Sequence, residues 1–341
     1  MIDIGRIGAA LARTAEAKIA VFGDFCLDKY LYIDPARDEI SVETGLTAYM
    51  VHEKRLYPGA GGTITNNLRA LGAQVTCIGL MGEDGEGYEL AGCLETIGAD
   101  TSRMVRSGLV CTSTYTKPMR RQPDGTHVEL NRLDFRNFTQ TPMELQEQLL
   151  RNLEQVLPHA DAVILIDQFF QRNLGVITDY VRGELAKLAL KYPDVIFYAD
   201  SRSFVEEFRN VIVKCNNFEL IGENGDPEDL DTLAKKAGEM RSAVGRTVFV
   251  TRGSRGMLVM AGEEGITVPA FRVEGPLDIV GAGDASSAGI VLGMTLGLTA
   301  EEAALLGCCI SSITIQQIGV TGTANVAQVL ERLKQYDGGN Q

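Results

Sequence analysis

Only three of the 341 residues are histidines, and none of the seven cysteines stands in a C-x-x-C pair. That argues against a zinc site and against a disulfide framework. Cysteines such as Cys77, set in Val75-Thr76-Cys77-Ile78, read as reduced core thiols. Long hydrophobic runs are missing too, since no stretch approaches the roughly 20 apolar residues that span a bilayer. The opening segment carries Asp3, Arg6, Arg13 and Glu16 and has no signal-peptide core, so a cytoplasmic protein without a membrane partner is expected. Positive charge is also scarce. The 32 Lys and Arg are outnumbered by 45 Asp and Glu, for a net charge of −13. Broad nucleic-acid binding needs the opposite balance, because basic groups must displace counterions from phosphates. An anionic substrate would have to be held by local devices: helix N-termini, backbone amides, a metal ion, or a few chosen Arg and Lys. No internal repeat or low-complexity block occurs, and only Asp337–Gln341 reads as a loose tail.

What is present is an ordinary globular balance of 45% hydrophobic and 23% charged residues, in a chain long enough for one large α/β domain. Short β-rich runs at 18–22, 75–79, 162–166, 195–199, 211–213 and 247–251 alternate with amphipathic segments at 142–157, 174–190 and 230–244. Several of the runs are continuously apolar, which suits strands covered by helices on both faces. The alternation predicts right-handed crossovers and a mainly parallel sheet. Two stretches, 29–57 and 108–131, break the rhythm with charges among Tyr, Thr and Val. A small β-sheet projecting from the main domain accounts for both, although polar loops would look similar.

The strongest chemical signal is Asp278-Ile279-Val280-Gly281-Ala282-Gly283-Asp284, which opens a long apolar helix. Glycines let successive backbone N–H groups converge on one point, and the helix dipole favours an anion there. Asp284 falls in the first turn. A carboxylate beside developing phosphoryl charge is costly unless it accepts the proton of an attacking hydroxyl. Taken alone, Asp284 reads more readily as a helix cap, and it is the wider context that reverses this. A second glycine-led helix begins at Gly59-Ala60-Gly61-Gly62, with Asn66 and Asn67 in its early turns. Gly61 and Gly62 would let a ligand approach the backbone, and Asn66 offers a donor and an acceptor to hydroxyls; helix packing is the plain alternative. Third, Val21-Phe22-Gly23-Asp24-Phe25-Cys26-Leu27-Asp28 delivers Asp24 and Asp28 near the sheet's C-terminal edge, where α/β sheets bind ligands. Such carboxylates suit sugar hydroxyls, or they cap a turn.

Together these segments resemble the PfkB (ribokinase-like) carbohydrate kinases, with 59–90 like the N-terminal signature and 278–289 like the C-terminal one. The likeness runs from about residue 18 to 330. It implies a three-layer α/β/α domain over 1–341, with the projecting sheet as a lid that closes over the sugar, and an ATP- and Mg²⁺-dependent transfer of a phosphoryl group. It makes Asp284 the base and the backbone of Gly281, Ala282 and Gly283 the anion hole. Asp24, Asp28, Gly61, Gly62 and Asn66 fall to the sugar. Lys214-Cys215-Asn216-Asn217-Phe218-Glu219 is similar to the family's Asn-x-x-Glu element. That assigns Lys214 and Asn216 to the nucleotide, and Asn216 and Glu219 to Mg²⁺ through water; in isolation Glu219 is a helix-start residue. Thr251, Gly253 and Gly256 sit as the nucleotide loop does, yet the same stretch reads as a hairpin turn before Met257–Met260.

Gly23-Asp24, Leu27-Asp28-Lys29-Tyr30 and Arg132-Leu133-Asp134-Phe135 look most like the heptose-phosphate kinase branch. In that reading Arg132 holds a substrate phosphate; an ion pair with Asp134 is its alternative. Ile279 stands where the family often has Thr, and Ser286 where many members have an aromatic residue. The 341 residues leave no room for the nucleotidyltransferase half that some heptose kinases carry. The resemblance, and not the sequence itself, also implies a homodimer through the lid sheet. The rival functions are a nucleoside kinase of the same fold and a non-catalytic sugar-binding or regulatory relative. A nicotinamide-dependent oxidoreductase is disfavoured, because the first strand leads into Gly23-Asp24 and not into G-x-G-x-x-G.

Overall fold

Strands that are apolar on both sides need helices over both faces, and the computed structural model supplies them. It describes residues 2–222 and 226–336; the stretch Asp337–Gln341 lies outside the described residues. The main sheet runs β16 (Ile266–Val268), β15 (Met257–Met260), β14 (Val248–Thr251), β13 (Ile212–Asn216), β12 (Ile196–Ser201), β11 (Ala162–Asp167), β1 (Lys18–Gly23), β6 (Gln74–Gly82) and β7 (Val105–Ser107). From β7 to β14 all neighbours are parallel, and β15 and β16 return antiparallel at one edge.

Alternate residues of each strand feed two cores. Ile19, Val21 and Ile164 pack under α1 (Ile4–Leu11), α2 (Gly61–Ala70), α3 (Gly85–Thr96), α8 (Ala282–Thr295), α9 (Ala300–Thr314) and α10 (Val326–Leu333). Ala20, Phe22, Val163 and Leu165 pack under α4 (Met143–Val156), α5 (Asp179–Lys191), α6 (Asn217–Ile221) and α7 (Leu230–Val244). This ribokinase-like layering matches the expected parallel sheet. The helix expected over 174–190 starts later, at Asp179. The Thr178 hydroxyl caps it by accepting from Val181 N at 3.2 Å, and the Val176 amide is already committed to Asp24.

The second sheet is small and ordered β10 (Leu133–Phe135), β8 (Thr114–Arg121), β2 (Phe25–Ile33), β5 (Val51–Ala60), with β9 (His127–Glu129) beside β8. Its pairs are antiparallel except for parallel β2–β8. A short ribbon of β3 (Glu39–Ile40) and β4 (Thr47–Ala48) extends it. The strands therefore start earlier than 29 and reach beyond 131. Phe25–Leu27 are buried, so their apolar character hid the departure from the main sheet. Residues 108–113 contribute no strand.

The chain passes from β1 into β2 at Gly23, whose φ is 140°. A Cβ there would lie 2.1 Å from the Ile166 carbonyl oxygen, so only glycine permits the close approach. The C-terminal ends of β1, β12, β13 and β14 thus meet the N-termini of α2 and α8 beneath the small sheet.

Candidate active site

Gly281 holds the left-handed conformation (φ 79°) that turns the chain into α8. Its α-carbon fits between Thr321 and Thr63; a Cβ would stand 2.6 Å from Thr321 Cγ2 and 3.4 Å from Thr63 Cγ2. The second contact places the start of α2 beside the start of α8. Asp278 fixes the approach, accepting from Val280 N at 3.1 Å and Gly319 N at 3.0 Å. At this point the Ala282 amide is already committed, donating to the Ile279 carbonyl oxygen at 3.1 Å, so the turn before α8 removes it from the expected anion hole, while Gly283 follows exposed.

Asp284 follows in the first turn. Among the described residues its carboxylate makes no hydrogen bond and no ion pair. Removal from water pushes its carboxyl up to about 7, the negative charge of Asp200 adds to that, and Lys214 and Arg202 oppose it. Asp28 raises it further, which places the small sheet's carboxylate within electrostatic reach of the α8 N-terminus. A carboxylate poised there and left unpaired is fit to accept a hydroxyl proton near neutral pH.

Beneath the glycines lies a network the sequence reading did not find. The buried Lys214 Nζ pairs with Asp200 Oδ2 at 2.8 Å, and it would lie 3.4 Å from a Cβ on Gly283. Asp200 Oδ2 also accepts from Ser287 Oγ at 2.9 Å, which accepts from the buried Tyr198 hydroxyl at 3.0 Å. Burial alone would lower the Lys214 ammonium's pKa, yet Asp200, Asp284 and Glu219 raise it. A charged ammonium is therefore held next to Gly283 at the start of α8. Asp200 was legible as a carboxylate closing a buried parallel strand, a position that itself points to the ligand edge.

Asn216 and Glu219 form a capping box on α6: Glu219 N donates to Asn216 Oδ1 and Asn216 N donates to Glu219 Oε2, both at 2.8 Å. Burial raises the Glu219 carboxyl, against the pull of the Asn216 amide and Lys214. One Glu219 oxygen stays free of hydrogen bonds among the described residues. A single carboxylate oxygen does not cage a cation but fits Mg²⁺ that keeps its water shell. Thr251 closes β14, and Gly253 (φ 56°) and Gly256 (φ 83°) make the turn into β15. The hairpin reading of that segment is what the backbone adopts, and it leaves Gly253 in open space at the sheet's ligand edge.

The remaining residues divide. Asp28 lies on the small sheet and accepts from Lys117 Nζ at 2.7 Å, which also reaches the Tyr30 hydroxyl at 3.0 Å. Asn66 is half-buried on α2 with no hydrogen bond of its side chain among the described residues. Gly61 and Gly62 are buried, pressed against Phe25 and Pro58 respectively, so packing alone requires them. Asp24 is buried; its carboxylate accepts from Val176 N at 2.7 Å and Gln168 N at 2.9 Å, fixing the segment after β11. Burial, then the charge of Asp167, pushes it up to about 7. Arg132 grips Asp134 at 2.7 and 2.9 Å, the ion pair weighed as its alternative. No described helix is long and apolar enough to cross a membrane.

Comparison with known proteins agrees with this geometry. Residues 16–333 match the family described as pfkB family carbohydrate kinase. The chain is 27% identical over 338 residues to the bifunctional protein HldE of Trichlorobacter lovleyi and 29% identical over 329 residues to that of Azorhizobium caulinodans. Those matches cover 96% and 94% of this chain but only 65% and 66% of the relatives, so the chain spans less than two thirds of their length. Among solved structures, ribokinase of Arabidopsis thaliana complexed with ribose and ATP superposes with a TM-score of 0.68 at 19% identity, over 93% of this chain and 98% of that one. Phosphofructokinase-2 of Escherichia coli gives 0.70 at 18%, with the same shares. At such identities these structures bear on the fold alone. With the match over residues 16–333, the chain belongs to the pfkB family of carbohydrate kinases.

Proposed function

We propose that the protein transfers the γ-phosphoryl group of ATP to a hydroxyl of a sugar phosphate, of the heptose-phosphate kind. The observation that carries the reading is the unpaired Asp284 carboxylate at the start of α8, one residue from the glycine that Lys214 Nζ approaches. Asp28, Asn66 and the small sheet orient the sugar so that its hydroxyl meets Asp284. Asp284 takes the proton late, because a loose transition state needs little early deprotonation. The amides at Gly281 and Gly283 and the Lys214 ammonium receive the charge that develops on the transferred group. Glu219 and Asn216 would hold Mg²⁺ through water, and the ion would supply charge neutralisation on the phosphates. Thr251, Gly253 and Gly256 line the nucleotide side. Acting as a lid, the small sheet excludes water and limits ATP hydrolysis. Its exposed Ile40, Val42, Leu46, Tyr49 and Val51 support pairing of two copies through this region.

The test is ADP release from MgATP across sugars, sugar phosphates and ribonucleosides, in wild type and Asp284→Asn. We expect a sugar phosphate to respond and the variant to lose about a hundredfold or more in turnover while still binding ATP. A ribonucleoside as the best acceptor would shift the reading to a nucleoside kinase. An active Asp284→Asn would remove this residue from the mechanism. ATP binding without turnover on any acceptor would favour a non-catalytic relative.

A further inference from the structure

The ladder between β11 and β12 runs past its last paired residues. Asp167 pairs with Ser201, and the Arg202 amide then donates to the Asp167 carbonyl oxygen at 3.0 Å. Residues two apart on a strand share a face. Tyr198 and Asp200 both meet Ser287 of α8, so Arg202 continues their row on the α8 face, beyond the core and exposed. On β13 the same row holds Lys214, which pairs with Asp200 in register, and Asn216 two residues on. Gln168, just past β11, steadies the guanidinium. Its Oε1 accepts from Arg202 Nε at 3.4 Å, and its own amide is fixed by Asp24 at 2.9 Å.

Two cations thus belong to the ligand edge on this face, and they are differently committed. Lys214 is bound to Asp200 at 2.8 Å. Arg202 has no carboxylate partner among the described residues, although acidic residues outnumber basic ones 45 to 32 in the chain. Two carboxylates nevertheless lie within its electrostatic reach. Burial raises the carboxyls of Asp284 and Glu219, and the Arg202 charge is among those that draw both back down. The bond from Nε leaves both terminal nitrogens of the guanidinium unengaged among the described residues. A planar fork held off two neighbouring carboxylates suits a group that presents several anionic oxygens at once. The phosphoryl group in a loose transition state is such a group, with charge spread over three oxygens.

We propose that Arg202 is a further catalytic residue, whose guanidinium grips the γ-phosphoryl group of ATP and stays on it through transfer. The bond from the γ-phosphorus to the bridging oxygen breaks as the bond to the acceptor oxygen forms. The acceptor's proton goes to Asp284, and ADP leaves with the electron pair of the broken bond. Arg202 keeps its own protons and donates hydrogen bonds to the moving oxygens. The inference rests on the kinase reading and deepens it, since it names a cation free to follow the transferred group where Lys214 is already paired. Nothing in the spacing of Asp200-Ser201-Arg202 marks the residue; the register of β11, β12 and β13 does.

The test compares wild type, Arg202→Gln and Arg202→Lys, after thermal melting confirms that each is folded. Calorimetry follows binding of MgADP and of the magnesium complex of a β,γ-imido analogue of ATP, and turnover of MgATP is measured across pH on the best acceptor. Arg202→Gln should bind the analogue about tenfold more weakly and MgADP as wild type does, because only the analogue carries the γ group. Its kcat should fall about a hundredfold, with KM for the acceptor unmoved. The pH profile separates contact from a distant field. Around Asp284 stand Asp200, Arg202 and the buried Tyr198 hydroxyl from β12, Lys214 from β13 and Asp28 from the small sheet. Removing the Arg202 charge lets Asp284 hold its proton more tightly, so the acid limb of Arg202→Gln should move to higher pH. Arg202→Lys keeps the charge and the wild-type midpoint, yet should recover only part of kcat, because an ammonium lacks the fork. The proposal is overturned if analogue and MgADP weaken together, if neither weakens, or if Arg202→Gln turns over as fast as wild type at its own optimum. Wild type that binds neither nucleotide would overturn the kinase reading and this proposal with it. Wild type that binds and turns over beside an equally active Arg202→Gln would overturn the proposal alone.

Discussion

Asp284 shows how little of a residue's chemistry its identity decides. The same side chain on a wet helix end would be an ordinary cap; here removal from water and the Asp200 charge bring its carboxyl up to about 7. The sign of the consequence is definite. A base must be ionised to work, so kcat should fall on the acid side with a midpoint near 7. Replacing Asp200 with Asn removes a neighbouring negative charge and eases ionisation, and the acid limb should then move to lower pH. A pH–rate profile of Asp200→Asn that superposes on wild type would separate the two carboxylates. Asp284, its glycines and Glu219 were legible because their spacing is local. Ser287 was not, since it acquires its role from Asp200 and Tyr198, 87 and 89 residues away, and Asp200 showed only its place near the end of a buried strand.

Elements behave differently, because their ends are written in sequence. The Asn216–Glu219 capping box is visible in the spacing of the two residues, and the structure confirms both of its hydrogen bonds. Asn216→Ala should lower stability by about 1 kcal/mol, measured by denaturant unfolding, whether or not nucleotide is present. Gly281 is a stricter constraint. Gly281→Ala meets a strained φ and the Thr321 methyl together, and should cost about 1–3 kcal/mol while lowering kcat by displacing the α8 amides. The late start of α5 was hidden for the opposite reason, as tertiary bonds from Asp24 and the Thr178 cap overrode an apolar periodicity.

For the whole molecule, the alternation of strand residues into two cores made the parallel sheet readable, while the small sheet was seen only as broken rhythm. Leu165, fully buried under α4 and α5, illustrates the dependence on packing; Leu165→Ala should cost about 2–5 kcal/mol. Asp24 ties stability to pH. Its carboxyl, pushed up from 3.8 to about 7 by burial and then Asp167, holds its proton more tightly in the folded chain than in the unfolded one. That contribution is present in full below 3.8 and is lost as pH rises through about 7. The stability of wild type relative to Asp24→Asn should therefore decline across this interval. A flat difference in denaturation midpoints would show that the buried carboxyl does not titrate there.

The direct passage from β1 into β2 has a mechanical consequence. The chain enters the small sheet at Gly23-Asp24 and leaves β5 for α2 at Ala60-Gly61, and the Gly61 amide donates to the Asp24 carbonyl oxygen at 2.9 Å. Both crossings thus share one pin, like the knuckles of a door. β2 is nine residues long. A swing of about ten degrees on that pin would carry its outer end, near Ile33, through about 5 Å at roughly 3.3 Å per residue. Asp28 rides close to the pin, level with Tyr57 on β5 and Tyr115 on β8. Such a door barely moves at its hinge side, where Asp28 stands, and sweeps widely at its rim. Substitutions at the rim, at Val42 or Leu46, should accordingly change how much ATP is lost to water and leave the grip on the acceptor as it was.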